Sequence, residues 1–281
     1  VLSLVLGRCR FYMRYMQRWF PFIKHKPRVS VVRLSGVIAG ARIRSGLSDA
    51  GLAPVLERAF RRGRPAAVAL IVNSPGGSPA QSSLIARRIR RLADAHAVPV
   101  HAFVEDVAAS GGYYLACAAD EVWVDENSIL GSIGVISAGF GFHELLARHG
   151  VERRVYTAGE SKNLLDPFLP EKTGDVARIK ALQAVLHTAF IAYVKGRRGA
   201  TLAQGADLFS GDVWVGQQAV DLGLADGVAH MEPKMKEIFG EKVKFVACGV
   251  RRGWLSRLGV HAMAGLADEA EARLMWARYG L

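Results

Sequence analysis

The chain has 281 residues, a formal net charge of +12, 51% hydrophobic and 22% charged residues; this excludes a disordered or collagen-like chain and bounds it to one large domain or two small ones. The three cysteines, Cys9, Cys117 and Cys248, are scattered and odd in number, so they offer neither a disulfide framework nor a CxxC metal or redox site, and they suit a reducing, cytoplasmic compartment. Residues 1–30 carry seven cations and no acid, residues 251–281 add +2, and the whole middle holds +3, so the basic excess sits on one end rather than on a nucleic-acid-binding face.

In chain order, the first element is a basic, aromatic-rich leader over residues 1–28. Its apolar opening, Val1 to Gly7, is well short of a membrane span, and its cations follow the apolar run, unlike those of a secretory signal. Between Phe11 and Ile23, aromatic and aliphatic residues interleave with Arg14 and Arg18. That pattern suits peripheral contact with an anionic, cytoplasmic membrane face as well as it suits an unstructured lead-in.

From Arg28 the pattern becomes α/β. Val29 to Leu34 predicts a first strand that breaks at Ser35-Gly36, with Val37-Ile38 continuing it. Leu52, Val55, Leu56, Ala59 and Phe60 recur at helical spacing, with arginines at the C-terminal end and Pro65 beyond. Ala67 to Val72 is apolar without alternation, the mark of a strand buried on both faces, and it runs into the turn Asn73-Ser74-Pro75-Gly76-Gly77. A helix through Leu84, Ile85, Ile89 and Leu92 follows, then a strand over Val98 to Val104 and a second small-residue turn, Ala108-Ala109-Ser110-Gly111-Gly112, opening a helix to Ala119.

Val122 to Val124, Gly134 to Ile136 and Val151 to Tyr156 predict further strands. Residues 171–195 predict the longest helix, with Val176, Ile179, Leu182, Leu186, Phe190 and Val194 on one side. A short helix over Gly216 to Leu222, a last strand over Val243 to Val246 and a C-terminal helix within residues 254–281 complete the series. Ligands in such sheets bind beyond the carboxyl ends of the strands, which makes both glycine turns site candidates.

Several chemistries are excluded. His143-Glu144 is followed by His149, six residues after His143 instead of four, so the pair does not share a helix face for zinc. Neither a GxxxxGK[ST] phosphate loop nor a GxSxG elbow occurs. What remains is Ser110, a hydroxyl at a strand-to-helix turn among small residues. The Gly111 N–H at the helix start and the turn at Gly76-Gly77 are candidate donors to an attacked carbonyl.

Five blocks in order resemble the signal peptide peptidase A (SppA/SohB-like) family in its short, single-unit form: Asn73-Ser74-Pro75-Gly76-Gly77, Ala109 to Tyr114, Gly131 to Ile136, Gly159-Glu160-Ser161-Lys162, and Phe209-Ser210-Gly211 with Gly216 to Ala219 and Leu222 to Asp226. The resemblance implies a single α/β domain over residues 29–250, a Clp-protease/crotonase-like spiral of ββα units, with a helical tail over 251–281. It implies a serine endopeptidase with Ser110 as nucleophile, Lys162 as general base, and the Gly77 and Gly111 amides as the oxyanion hole, and it needs no cofactor and no metal. It also implies a ring-like homo-oligomer. Family members that cleave signal-peptide remnants commonly carry a membrane span, which this sequence does not show, so other membrane-derived or misfolded polypeptides stand beside them as expected substrates.

The dyad sets a physical condition. A free lysine has a pKa near 10.4, and Lys162 accepts the Ser110 proton at neutral pH only if burial or nearby cations lower that value by roughly two to three units. Leu164, Leu165 and Phe168 follow it closely. Three rivals stay open at this point: a Clp-type Ser-His-Asp peptidase using His143, a crotonase-like acyl-CoA enzyme, and a non-enzymatic membrane-associated scaffold of the same fold.

Overall fold

In the computed structural model, residues 26–40, 46–159, 162–249 and 273–281 are described. At the centre of its sheet is β2 (Ala67–Ser74), whose first six residues are apolar and fully buried, as a strand covered on both faces requires. It pairs in parallel with β1 (Arg28–Ser35) and with β3 (Val100–Ala109), and β8 (Lys244–Cys248) joins β1 as an edge.

β3 pairs twice on its far side. Its first half, His101–Phe103, pairs with β4 (Glu121–Val124), and its last three residues, Val107–Ala109, pair with β5 (Ile129–Gly131). Between the halves, β3 carries two more residues than β2 does: Val104 faces Val72, but Ala108 faces Ser74. Asn73 holds this bulge, donating from Nδ2 to Asp106 Oδ2 (2.5 Å) and accepting the Val107 N–H at Oδ1 (3.3 Å). Antiparallel β6 (Val213–Val215) follows β5, and β7 (Gly227–Val228) follows β4, giving eight strands in one α/β domain.

One face of the sheet is covered by α1 (Asp49–Arg61) and α2 (Pro79–His96), which bury the stripes Leu52, Val55, Leu56, Ala59, Phe60 and Ile85, Ala86, Ile89, Ala93. Ser48 and Ser78 cap them, accepting the N–H groups of Gly51 and Gln81. α3 (Gly111–Ala116) packs beside α2, while α7 (Met231–Phe239) closes a smaller cluster on the other face around Ile71, Phe103 and Met235. The remaining helices are α4 (His143–Arg148), α5 (Thr173–Arg198) and α6 (Gln217–Asp221).

α5 is fastened at one end. Only Phe190, Val194 and Arg198 are buried along its 26 residues. There Arg197 donates to the carbonyls of Cys117 (2.8 Å) and Ala119 (2.7 Å), and Arg198 Nη1 meets Asp226 Oδ2 (2.6 Å), which also accepts the Val122 N–H of β4 (2.7 Å). Tyr193 stacks on Tyr114 with ring centroids 3.8 Å apart.

Two predicted strands are corrected. Gly134–Ile136 and Val151–Tyr156 are irregular, and Ile136 and Tyr156 are 68% and 91% exposed. A β-branched run becomes a strand only where an edge accepts it, and the edge offered by β5 is taken by antiparallel β6. Leu182 and Leu186, expected inside the apolar stripe of α5, are likewise exposed. Most of the expected leader and tail lies outside the described residues; of the tail, residues 273–277 are helical.

The helix pair α1–α2 is tied by Asp49, whose carboxylate receives Arg88 Nε and Nη2 (2.6 Å each). Those hydrogen bonds hold the Asp49 carboxyl below its ordinary value. Its contribution is therefore complete above the unfolded pKa of about 3.9 and fades as pH falls through the lower folded value. Asp49→Asn is expected to cost about 1–2 kcal/mol in urea unfolding at pH 7, with the gap to wild type narrowing below about pH 4.

Candidate active site

β2 and β3 are parallel neighbours, so their C-terminal ends lie side by side. Each ends in a glycine turn, and the turns are in contact. A side chain on Gly76 would place its Cβ 2.9 Å from the Ala109 carbonyl, the Gly111 N and Ser110 Cβ, and Gly76 has φ +104°. A Cβ on Gly112 would collide with the Ser74 carbonyl, and one on Gly77 with the backbone of Ile38. Only glycine lets the chains approach this closely.

Hydrogen bonds fix the first turn. Ser74, fully buried, donates from Oγ to the Gly36 carbonyl (2.7 Å) and accepts the Gly76 N–H (3.2 Å). The Ile38 N–H donates to the Gly76 carbonyl and the Ser78 N–H to the Ile38 carbonyl, both at 2.7 Å, so Ile38 brackets Gly77.

Ser110 occupies the second turn with φ +52° and ψ −119°, a conformation costing an L-residue about 1–3 kcal/mol. Its N–H donates to the Gly131 carbonyl (2.8 Å) and its own carbonyl accepts the Tyr114 N–H (3.0 Å). Ser110 precedes α3, yet its hydroxyl does not cap the helix, because its backbone lies outside the extended region that a capping serine adopts. The half-buried hydroxyl is thus left free of the local role serine usually takes in this position. Gly111, the first residue of α3, contributes an N–H that has no acceptor within a helix.

A third motif forms the next wall. Gly131 (φ +109°) lies under the Trp214 ring, Ser132 (φ +50°) donates its N–H to the Asp212 carbonyl (2.6 Å), and a Cβ on Gly134 would stand 3.4 Å from Gly211 Cα. The blocks at 131–136 and 209–211 therefore pack on one another. His187 on α5, passed over in the sequence because it sits singly in a helical stripe, brings Nε2 to 3.0 Å from the Ile133 carbonyl.

Beneath this turn the groups are inert. Tyr113 is fully buried, and burial drives its phenol well above the ordinary value while its OH donates to the Leu224 carbonyl (2.9 Å). Burial likewise pushes the Cys117 thiol up to about 12. Among the described residues no group of three or more His, Cys, Asp or Glu side chains is arranged to hold a metal ion.

Gly77, Ser110 and Gly111 are thus brought together; Lys162 is not. It is exposed in a turn closed by its own N–H on the Gly159 carbonyl (3.1 Å), and among the described residues it shares no hydrogen bond with Ser110. Six residues further along the chain, Phe168 stacks on Phe142 (5.7 Å) and lies under the Arg153 guanidinium (5.2 Å). His143, at the head of α4 in the same region, shares no hydrogen bond with Ser110 either.

The description "Peptidase family S49" matches residues 93–242, which is 150 of the 281 residues and includes Ser110 and Lys162. The chain belongs to peptidase family S49. Members of S49 share the ClpP/crotonase-like fold, and a structure of the 1510-N membrane-bound stomatin-specific protease with a substrate peptide resembles this chain with a TM-score of 0.53, at 15% identity, over 83% of this chain and 96% of that one. The Arabidopsis thaliana "Serine protease SPPA, chloroplastic" is 31% identical over 223 residues, covering 73% of this chain and 31% of that protein. A Brucella abortus protein named "Na(+)/H(+) antiporter NhaA" is 49% identical over 271 residues, covering 90% of this chain and 37% of that protein. The chain therefore spans about a third of each of these two relatives.

Gly76→Ala is expected to displace the Ser110 turn. The stability loss should be roughly 1–3 kcal/mol in urea unfolding, whereas Gly174→Ala on α5, where a Cβ meets nothing within 4 Å, should leave stability near wild type.

Proposed function

We propose that this S49 chain is a serine endopeptidase in which Ser110 is the nucleophile and Lys162 the general base. The observation that carries the proposal is the strained Ser110 turn, wedged against Gly76 with its hydroxyl unused by the helix it precedes. A backbone kept in so unfavourable a conformation is over-determined by its surroundings, as functional turns are.

In this reading Lys162 takes the Ser110 proton as the oxygen attacks a peptide carbonyl, and the Gly77 and Gly111 amides hold the oxyanion. Lys162 then passes the proton to the leaving amine, and water activated by the same lysine hydrolyses the acyl-enzyme. The substrates are signal-peptide remnants or other membrane-derived or misfolded polypeptides. The antiporter name of the Brucella relative is not carried over, since the likeness covers 37% of that protein.

The chain works as a homo-oligomer. Support comes from the apolar side chains left in solvent in the chain between β5 and α5 and along α5: Ile136, Phe140, Leu145, Tyr156, Val185 (70% exposed) and Leu186. Exposed apolar patches of this kind mark interaction surfaces. Assembly would remove water from the segment that carries Lys162, and desolvation is the effect that lowers a lysine pKa. Residues 1–28 add peripheral contact with the cytoplasmic face of a membrane; no helix among the described residues is long and apolar enough to cross one.

Ser110→Ala and Lys162→Ala are each expected to lower turnover of short apolar peptides at least about a thousandfold with the fold intact by circular dichroism. Wild-type turnover in either variant would end the dyad reading. Val185→Glu with Leu186→Glu is expected to give a monomer by light scattering and to lose most of the activity.

A further inference from the structure

At the far edge of the sheet, the C-terminal end of α1 lies against β8 and leaves a cavity of about 140 Å³. Arg28, Arg58, Arg62, Ser30 and Cys248 line it, together with the strand segment leading to Gly249. It is separate from the site at Ser110: β8 stands three places from β3 in the order β3-β2-β1-β8, and Arg28 begins its strand whereas Ser110 follows the end of β3.

Among the described residues the three arginines have no counter-charge. Arg33, Arg88, Arg90, Arg153 and Arg198 each lie within 4 Å of a carboxylate. Among the described residues Arg28, Arg58 and Arg62 have no such partner. Arg28 and Arg58 are nevertheless half-buried, with Arg62 exposed at the rim. Arg58 Nη2 donates to the Gly249 carbonyl (2.6 Å), while Arg28 Nε is buried with no acceptor among the described residues. The Arg28 guanidinium lies over Gly63, where any side chain would displace it.

Holding half-buried cations together without an anion is costly. The α1 C-terminus supplies only about half an elementary negative charge, against three guanidiniums. We propose that this cavity binds a phosphate group. A phosphate presents several acceptor oxygens in tetrahedral array, which suits guanidiniums arriving from β1 and from α1, and it supplies the acceptor that Arg28 Nε lacks. The phosphate is either free in solution or the headgroup of an anionic lipid.

The test uses the full chain, inorganic phosphate at ionic strength matched with chloride, and vesicles of phosphatidylcholine with and without phosphatidylglycerol. Arg58→Gln combined with Arg62→Gln is compared with wild type and with Arg87→Gln combined with Arg91→Gln, two exposed arginines on α2. Wild type and the α2 control are expected to bind phosphate alike by calorimetry, and the cavity variant at least about tenfold more weakly. Should the double variant lose structure by circular dichroism, Arg62→Gln alone, at the exposed rim, is expected to weaken binding at least about threefold. A parallel loss of vesicle co-sedimentation in the cavity variant assigns the phosphate to a lipid headgroup, and unchanged co-sedimentation assigns it to free phosphate. The proposal is overturned if wild type takes up no phosphate, or if wild type, cavity variant and control have equal affinities.

Discussion

Neighbouring parallel strands lie about 4.8 Å apart, so the turns that leave β2 and β3 must pass through nearly the same space. Everything at the candidate site follows from how that crowding is resolved. Gly76 and Gly77 on one strand exit and Gly111 and Gly112 on the other remove the side chains that would collide. The price is borne by Ser110, held at φ +52° by Gly76 in front and by the Gly131 carbonyl behind. A rigid scaffold of buried strands is what makes such a conformation sustainable, and it leaves a hydroxyl and a helix-start N–H at the same spot.

The other half of the molecule is held differently. Arg197 and Arg198 pin the C-terminal turns of α5 to α3, β4 and the turn before β7. From residue 134 to residue 186, no described apolar side chain is buried, and Ile136, Phe140, Leu145, Tyr156 and Val185 face water. Lys162 belongs to this part. The contrast between a locked serine and an exposed lysine is what the proposed assembly would change, by covering the segment that carries Lys162.

Much of this was legible in the sequence. The unbroken apolar run at Ala67 to Val72 predicts the central strand, the three-and-four spacing of Leu52 to Phe60 predicts α1, and glycines clustered at strand exits mark the candidate site. Other features rest on tertiary partners that local pattern does not carry. Ile136 and Val151 to Tyr156 have strand composition but no sheet edge, while β5, β6 and β7 are too short to show a period. Asp226 reads as an ordinary loop acid until Arg198 arrives beside it, and His187 as a lone helix residue until the Ile133 carbonyl does. The arginine-lined cavity joins residues from both ends of the chain, a pairing created only when β8 adds to β1.

The central claim is that Ser110 is a nucleophile activated by Lys162. Its most direct test is treatment of the protein with a fluorophosphonate, followed by mass spectrometry of the peptide carrying the adduct. The account predicts a single adduct on Ser110 that disappears in Lys162→Ala. An adduct on another serine, or undiminished labelling of Ser110 without Lys162, would contradict it.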